Sequence, residues 1–275
     1  MRRATVALTA ILALFFGCDD ARGGPFQKRG DGWYYKDEAL NVPAGERVVP
    51  LKGDFATAGD RVFYRAMPID GADAGTFAVL SEHYAKDRAS AYYADTHRQG
   101  QEYFLVKHTR VRRIEGADAA TFQPLGYGHA RDRVRGYYHQ KAIAGSDGAS
   151  FVALDDNYSK DASHVFYSDI DPRSQPIAIR SRTLASAQPR SFTVLGDGYA
   201  ADSTRGWFKG EPLRDATPPL EVLEVGYART ATRVFYFGSP VPAADAATFQ
   251  ANALGASGTD ASDARGPFYE GKRVK

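Results

Sequence analysis

Cysteine is almost missing from this chain: Cys18 is the only one among 275 residues. A single thiol closes no internal disulfide, so the fold has to rest on packing alone. Long apolar runs are also lacking. The longest, Ala4 to Phe16, falls short of the roughly 20 residues a membrane-spanning helix needs. Nor does charge of one sign dominate. The net charge is +2, and without Arg2 and Arg3 the body carries 33 basic and 33 acidic side chains. A neutral body gives no global reason to expect a nucleic-acid partner.

The usual marks of catalysis are missing as well. There is no G-x-S-x-G elbow, no phosphate loop and no dinucleotide fingerprint. His83, His97, His108, His129, His139 and His164 fall at no metal-ligand spacing. The reading is therefore no catalytic residue, no metal, no cofactor and no enzyme. Paired carboxylates for glycoside hydrolysis are defined by distance across a cleft, so sequence alone leaves that alternative open.

What the chain does have is repetition. Adjacent aromatic pairs begin at Tyr34, Phe63, Tyr92, Tyr137, Phe166, Trp207, Phe235 and Phe268, at steps of 29, 29, 45, 29, 41, 28 and 33 residues. A unit near 29 residues is thus interrupted by two insertions and one small expansion. Five residues before the pair stands an acid in most units: Asp87, Asp132, Asp161, Asp202 and Asp263. An earlier landmark is Asp-x-x-Thr/Ser-Phe, at Asp73, Asp118, Asp147 and Asp245. Such fixed phasing is the signature of a repeat architecture.

Tyr84-Ala85-Lys86-Asp87 and Tyr158-Ser159-Lys160-Asp161, each followed by an aromatic pair, resemble the DKNYY family. His129-Ala130-Arg131-Asp132 and Tyr199-Ala200-Ala201-Asp202 are looser matches, and Tyr227-Ala228-Arg229-Thr230 has lost the acid. The resemblance covers about residues 30–275. It implies a bacterial, often lipid-anchored protein of unknown activity.

Residues 1–17 read as a signal peptide, with Arg2 and Arg3 ahead of the apolar run. Gly17-Cys18 directly after that run resembles a lipobox, with cleavage between the two and acylation of Cys18. Two or three acyl chains anchor a protein stably without a transmembrane helix. Asp19 resembles an inner-membrane retention signal. Residues 18–31 read as a Gly-rich charged tether and residues 32–275 as the repeat domain. The expectation is an exported protein, held to the membrane through Cys18 and facing the periplasm.

Local chemistry suggests the fold of a unit. Asp73-Ala74-Gly75-Thr76 suits one helical turn with the carboxylate accepting at its start. Phe77 to Leu80 begins a short strand, Tyr84 to Asp87 with the following polar residues makes a turn, and a second strand carries the aromatic pair, so each unit reads as a β-hairpin. Alternation buries the first ring of a pair between units and leaves the second ring's hydroxyl at a wet edge. The class is all-β, about eight hairpin units with one-turn helices in an open stack or solenoid. A small closed β-propeller is the alternative. Calcium takes roughly six to eight oxygens, more than these turns offer, so Asp87, Asp132, Asp161 and Asp202 read as structural.

The insertions, residues 94–115 and 168–191, are mildly basic and occupy corresponding places. Arg110, Arg112, Arg113, Arg180 and Arg182 are the candidate binding face, since insertions in repeats often gather on one face. The functional expectation is a lipid-anchored envelope protein whose array is a scaffold or binding surface for envelope protein or glycan. The alternative is a periplasmic hydrolase acting on envelope glycan.

Overall fold

The computed structural model describes residues 24–97, 108–171, 173–174, 178–252 and 258–274. Among these the chain is built of eight small antiparallel sheets, one of three strands and seven of four, each a simple meander. No sheet closes into a barrel, and the units form an open array. No helix among the described residues is long and apolar enough to cross a membrane. Gly17, Cys18 and Asp19 lie outside the described residues.

The third unit shows the pattern. Its strands are Ala78–Val79, Tyr84–Lys86, Ala91–His97 and His108–Arg113. The middle two form a hairpin, with Tyr92 opposite Ala85 and Tyr93 opposite Tyr84, so Tyr84 to Lys86, read as a turn, is itself a strand and the turn follows it. Of the outer strands, Ala78–Val79 lies in the stretch read as a strand but pairs with the motif strand, and the fourth is an addition. Most fourth strands are only two residues long, as at Met67–Pro68 and Lys141–Ala142, too short to show an alternating pattern. Two other expectations change. Asp73 to Thr76 is a single turn closed by Thr76 N–H to the Asp73 carbonyl (3.1 Å), not a helix. The first strand begins at Phe26, which is buried, inside the stretch read as a tether.

The core lies between units rather than within them. Seven hydrophobic clusters occupy the seven junctions of the eight sheets. At five junctions a ring from one sheet meets the Phe of the next Asp-x-x-Thr/Ser-Phe turn or its equivalent, which in turn meets the next aromatic pair. Tyr84–Phe122–Tyr137 has ring centroids 5.6 and 5.5 Å apart, and Tyr227–Phe249–Phe268 has both at 5.2 Å. Phe122, Tyr137, Phe249 and Phe268 are buried, each contributing roughly 1.5–3 kcal/mol by leaving water. A lone unit would expose all of this, so neighbours are obligatory.

The second rings of the pairs do not behave as anticipated. Tyr35, Tyr64, Tyr93, Tyr138 and Tyr167 are buried, not raised to a wet edge. For Tyr167, as for Phe208, a glycine in the following sheet receives the ring. A Cβ on Gly210 would lie 2.5 Å from the Tyr167 ring, and one on Gly238 would lie 2.4 Å from Phe208. Both glycines hold positive φ (75° and 77°), so the turn shape and the ring's seat call for the same residue.

The hydroxyl of the motif's first tyrosine spans four of the seven joints, from Tyr84, Tyr158, Tyr199 and Tyr227. Tyr158 donates to the Gly198 carbonyl (3.1 Å) and accepts from Gly210 N–H (2.9 Å). Tyr199 donates to Gly226 and accepts from Gly238, both at 2.9 Å. One oxygen thereby ties two turns of the neighbouring sheet. Tyr199→Phe keeps the ring but leaves Gly238 N–H without this acceptor in a buried place, and should lower stability by about 1–3 kcal/mol in urea unfolding. A loss under a few tenths would show the hydroxyl to be incidental.

Candidate functional site

The motif residues are the first place to look for chemistry, and each is engaged in the joint. The carboxylate of Asp87 accepts from its own turn, Ala89 and Ser90 N–H at 2.8 and 2.7 Å, and from Asp73 N–H at 3.0 Å. The Tyr92 hydroxyl donates to it at 2.7 Å. Asp132 repeats the set with Val134, Arg135, Asp118 and Tyr137. Asp161 accepts from Ser163, His164 and Asp147 N–H, and Asp202 from Thr204, Arg205 and Gln188 N–H. In the seventh unit Thr230 stands in, its hydroxyl accepting from Thr232 and Arg233 N–H.

Burial pushes these carboxyl groups up, but the convergent donors outweigh it, so Asp87, Asp132 and Asp202 sit below the ordinary carboxylate range. Asp263 is held lower still, chiefly by the Arg273 guanidinium at 2.8 and 3.0 Å. Their lone pairs are turned inward to backbone. No cluster of three or more potential metal ligands occurs among the described residues.

The motif's basic position also faces a neighbour, which the sequence did not disclose. Lys86 donates to the Ala119 carbonyl (2.9 Å) and Lys160 to Pro189 (2.8 Å). Arg131 reaches Phe151 O (3.1 Å) and Arg229 reaches Phe249 O (2.9 Å). Each thus fastens the next sheet's turn by its carbonyl oxygens. The Lys or Arg recurring at one fixed offset was the available signal.

The two insertions are long hairpins, each an extension of a sheet's third and fourth strands: Ala91–His97 with His108–Arg113, and Val165–Asp171 with Ala178–Thr183. They share a register. Asp95 faces Arg110 as Asp169 faces Arg180, and Tyr93 faces Arg112 as Tyr167 faces Arg182. Arg110 is held by Asp95 in a two-pronged ion pair (2.9 and 2.5 Å), both side chains largely covered. Arg180 pairs with Asp171 (2.7 Å). Arg182 lies over the Tyr167 ring and reaches Glu211 (2.7 Å) and the Lys209 carbonyl of the next sheet. Arg112 and Arg113 are exposed and make no hydrogen bond or ion pair with the described residues. Of the five arginines, these two remain available to a partner. They border a cleft of about 410 Å³ with Glu115, Gln140 and Lys141.

At three joints another residue stands in the tyrosine's place: Phe26, Phe55 and His129. His129 takes its place in the fourth unit, fully buried among Tyr138 and Phe151. Its Nδ1 lies 3.0 Å from the Tyr127 carbonyl, and Nε2 has no partner. Burial, aided by nearby His139, pushes the imidazole down to about 4 despite the Tyr127 contact. His139, bonded to the Tyr93 hydroxyl, is likewise pushed down to about 4 by burial.

The fold and these joints define an all-β repeat protein whose recurring side chains couple one meander to the next. The DKNYY family model matches residues 129–272, more than half of the chain, and the chain belongs to that family. No curated protein and no solved structure matches it.

The joint histidine gives the array a pH response. Unfolded, its imidazole takes up a proton near its ordinary value of 6.5, whereas folded it resists to about 4. Between those values the unfolded chain binds more protons. Stability is therefore full above about pH 6.5 and declines toward pH 4, by at most about 3 kcal/mol for His129. The depressed carboxylates act lower: their contribution holds above about pH 3.9 and fades as pH falls through the folded values. Phe fills the His129 place in the first two units (Phe26 and Phe55). His129→Phe should roughly halve the loss between pH 6.5 and 4, leaving the share of His139. Urea midpoints across that range measure it, and an unchanged slope would remove His129 as the cause.

Proposed function

We propose that this is a lipid-anchored bacterial envelope protein whose repeat array serves as a scaffold and binding surface. The observation that carries the reading is how the repeated chemistry is spent. The motif's acids, bases and hydroxyls bind backbone in their own or the next unit, while two related hairpins in the third and fifth sheets project arginines beyond that framework. A periodic body with all its recurring groups turned inward is suited to holding a surface in place. On this reading Arg112 and Arg113 are the principal contacts, with Arg180 and Arg182 beside them and Arg110 as their internal support. An acidic or otherwise anionic face of an envelope protein or glycan is the fitting partner. The anchor rests on the signal-like segment and Gly17-Cys18.

Intact mass of the protein extracted from its host membrane, beside Cys18→Ser, tests the anchor. The expected chain starts at Cys18 and is heavier by acyl chains, and the variant lacks them. In the same host, Arg112→Glu with Arg113→Glu should reduce the envelope components crosslinked to the anchored protein. An unacylated mature chain overturns the anchor, and undiminished crosslinking overturns the binding face.

A further inference from the structure

One turn of the seventh sheet breaks a rule that its counterparts keep. The turn that leads from third to fourth strand places its first residue at positive φ in unit after unit. That residue is Lys36, Arg65, His139, Lys209 or Glu270, polar every time. In the seventh sheet it is Phe237 (φ 42°), 50% exposed. The turn between first and second strands of the same sheet carries Val225, also at positive φ (50°) and 36% exposed. Left-handed backbone favours Gly, Asn and Asp, and β-branched or bulky residues there are outliers. The turns themselves explain the backbone. They do not explain two apolar side chains shown to water.

Both side chains line one cleft of about 610 Å³, within the range of small-molecule sites. The Phe237 ring rests on Gly226, where a Cβ would come within 2.4 Å of it, and meets Tyr236 edge-on at 4.8 Å. It is thus a fixed shelf. Tyr269 from the eighth sheet, 41% exposed, adds a third ring. The charges around these rings are mostly negative: Asp197, Asp260 and Glu270 against Lys209. Lys209 already sets its ammonium over the Phe208 ring at 5.4 Å, beside the cleft. Burial first, then the charges of Glu270 and Asp260, push the Tyr236 phenol up, as a negative field requires.

Aromatic faces framed by carboxylates select a cation with apolar substituents, because ring quadrupole and carboxylate both attract it while an anion meets repulsion. We infer that the cleft spanning the sixth to eighth sheets binds a small organic ammonium ion, with Phe237, Tyr236 and Tyr269 as its cage and Glu270 as its counter-charge. The inference does not rest on the proposed envelope role: Phe237, Tyr236, Tyr269 and Glu270 belong to neither long hairpin, and Arg182 touches only the Lys209 backbone at the cleft's edge.

The test uses the full chain and two matched probes, choline and its uncharged isostere 3,3-dimethyl-1-butanol, followed through aromatic ring signals in NMR. Choline should shift the Phe237 and Tyr269 signals and bind about tenfold more tightly than the alcohol. Phe237→Ala should weaken choline about tenfold and Glu270→Gln about threefold. Phe237→Leu, which keeps an apolar cover on Gly226, should match the Ala variant and guards against a folding defect. Tyr127→Ala removes an exposed ring from a turn of the fourth sheet outside the cleft and should change nothing. Equal binding of both probes, no effect of either Phe237 variant, or no ring shift up to about 0.5 M choline, well beyond millimolar affinity, would each overturn the assignment.

Discussion

The joint between consecutive sheets governs this molecule. A strand of three or four residues buries little by itself, and no unit has a core of its own. Each apolar cluster is made half by one meander and half by the next. Rings at Tyr84, Phe122 and Tyr137 or at Tyr227, Phe249 and Phe268 supply the area. The tyrosine hydroxyls and the Lys or Arg ends supply direction, because they find specific carbonyls and N–H groups only when the next sheet is correctly seated. Burial drives the stacking, and hydrogen bonds set its register.

This division explains why the motif has the residues it has. A hydroxyl on an aromatic ring can fill apolar space and still bond two turns at its tip. A long basic side chain crosses the gap with its apolar stem and ends on carbonyl oxygens. An aspartate beside a tight turn can satisfy several backbone donors at once. Asp260 takes over as acceptor for Tyr227 in the last sheet (2.8 Å). At His129 nothing replaces the second bond that a tyrosine would make. With His129 at the fourth-to-fifth joint and His139 at the third-to-fourth, these two joints are where the array responds to acid.

The motif therefore describes construction, and recognition is left to what departs from it. The two long hairpins are one departure. They are copies of each other in register, yet their arginines differ in use, since Arg110 and Arg182 are tied to neighbours and Arg112 and Arg113 are not. The seventh sheet is another, with Phe237 at a turn position that is polar in the other sheets. Local rules broken without a packing reward are where function is expected in a repeat protein.

Periodicity alone determined the eight units and the all-β class, because aromatic pairs and turn acids recur at fixed offsets and both are short-range signals. The role of Asp87, Asp132, Asp161 and Asp202 in turns was legible for the same reason. The motif strand, read as a turn, and the short fourth strands were not, since two or three residues show no period. Nor was the burial of Tyr64, Tyr93 and Tyr138: alternation along one strand says which face a ring takes, and nothing about the neighbouring sheet that covers it. The fate of each arginine, the joint made by Lys86 or Tyr199, and the gathering of Phe237, Tyr269 and Glu270 into one cleft were decided by tertiary structure, because each depends on residues brought together across a junction.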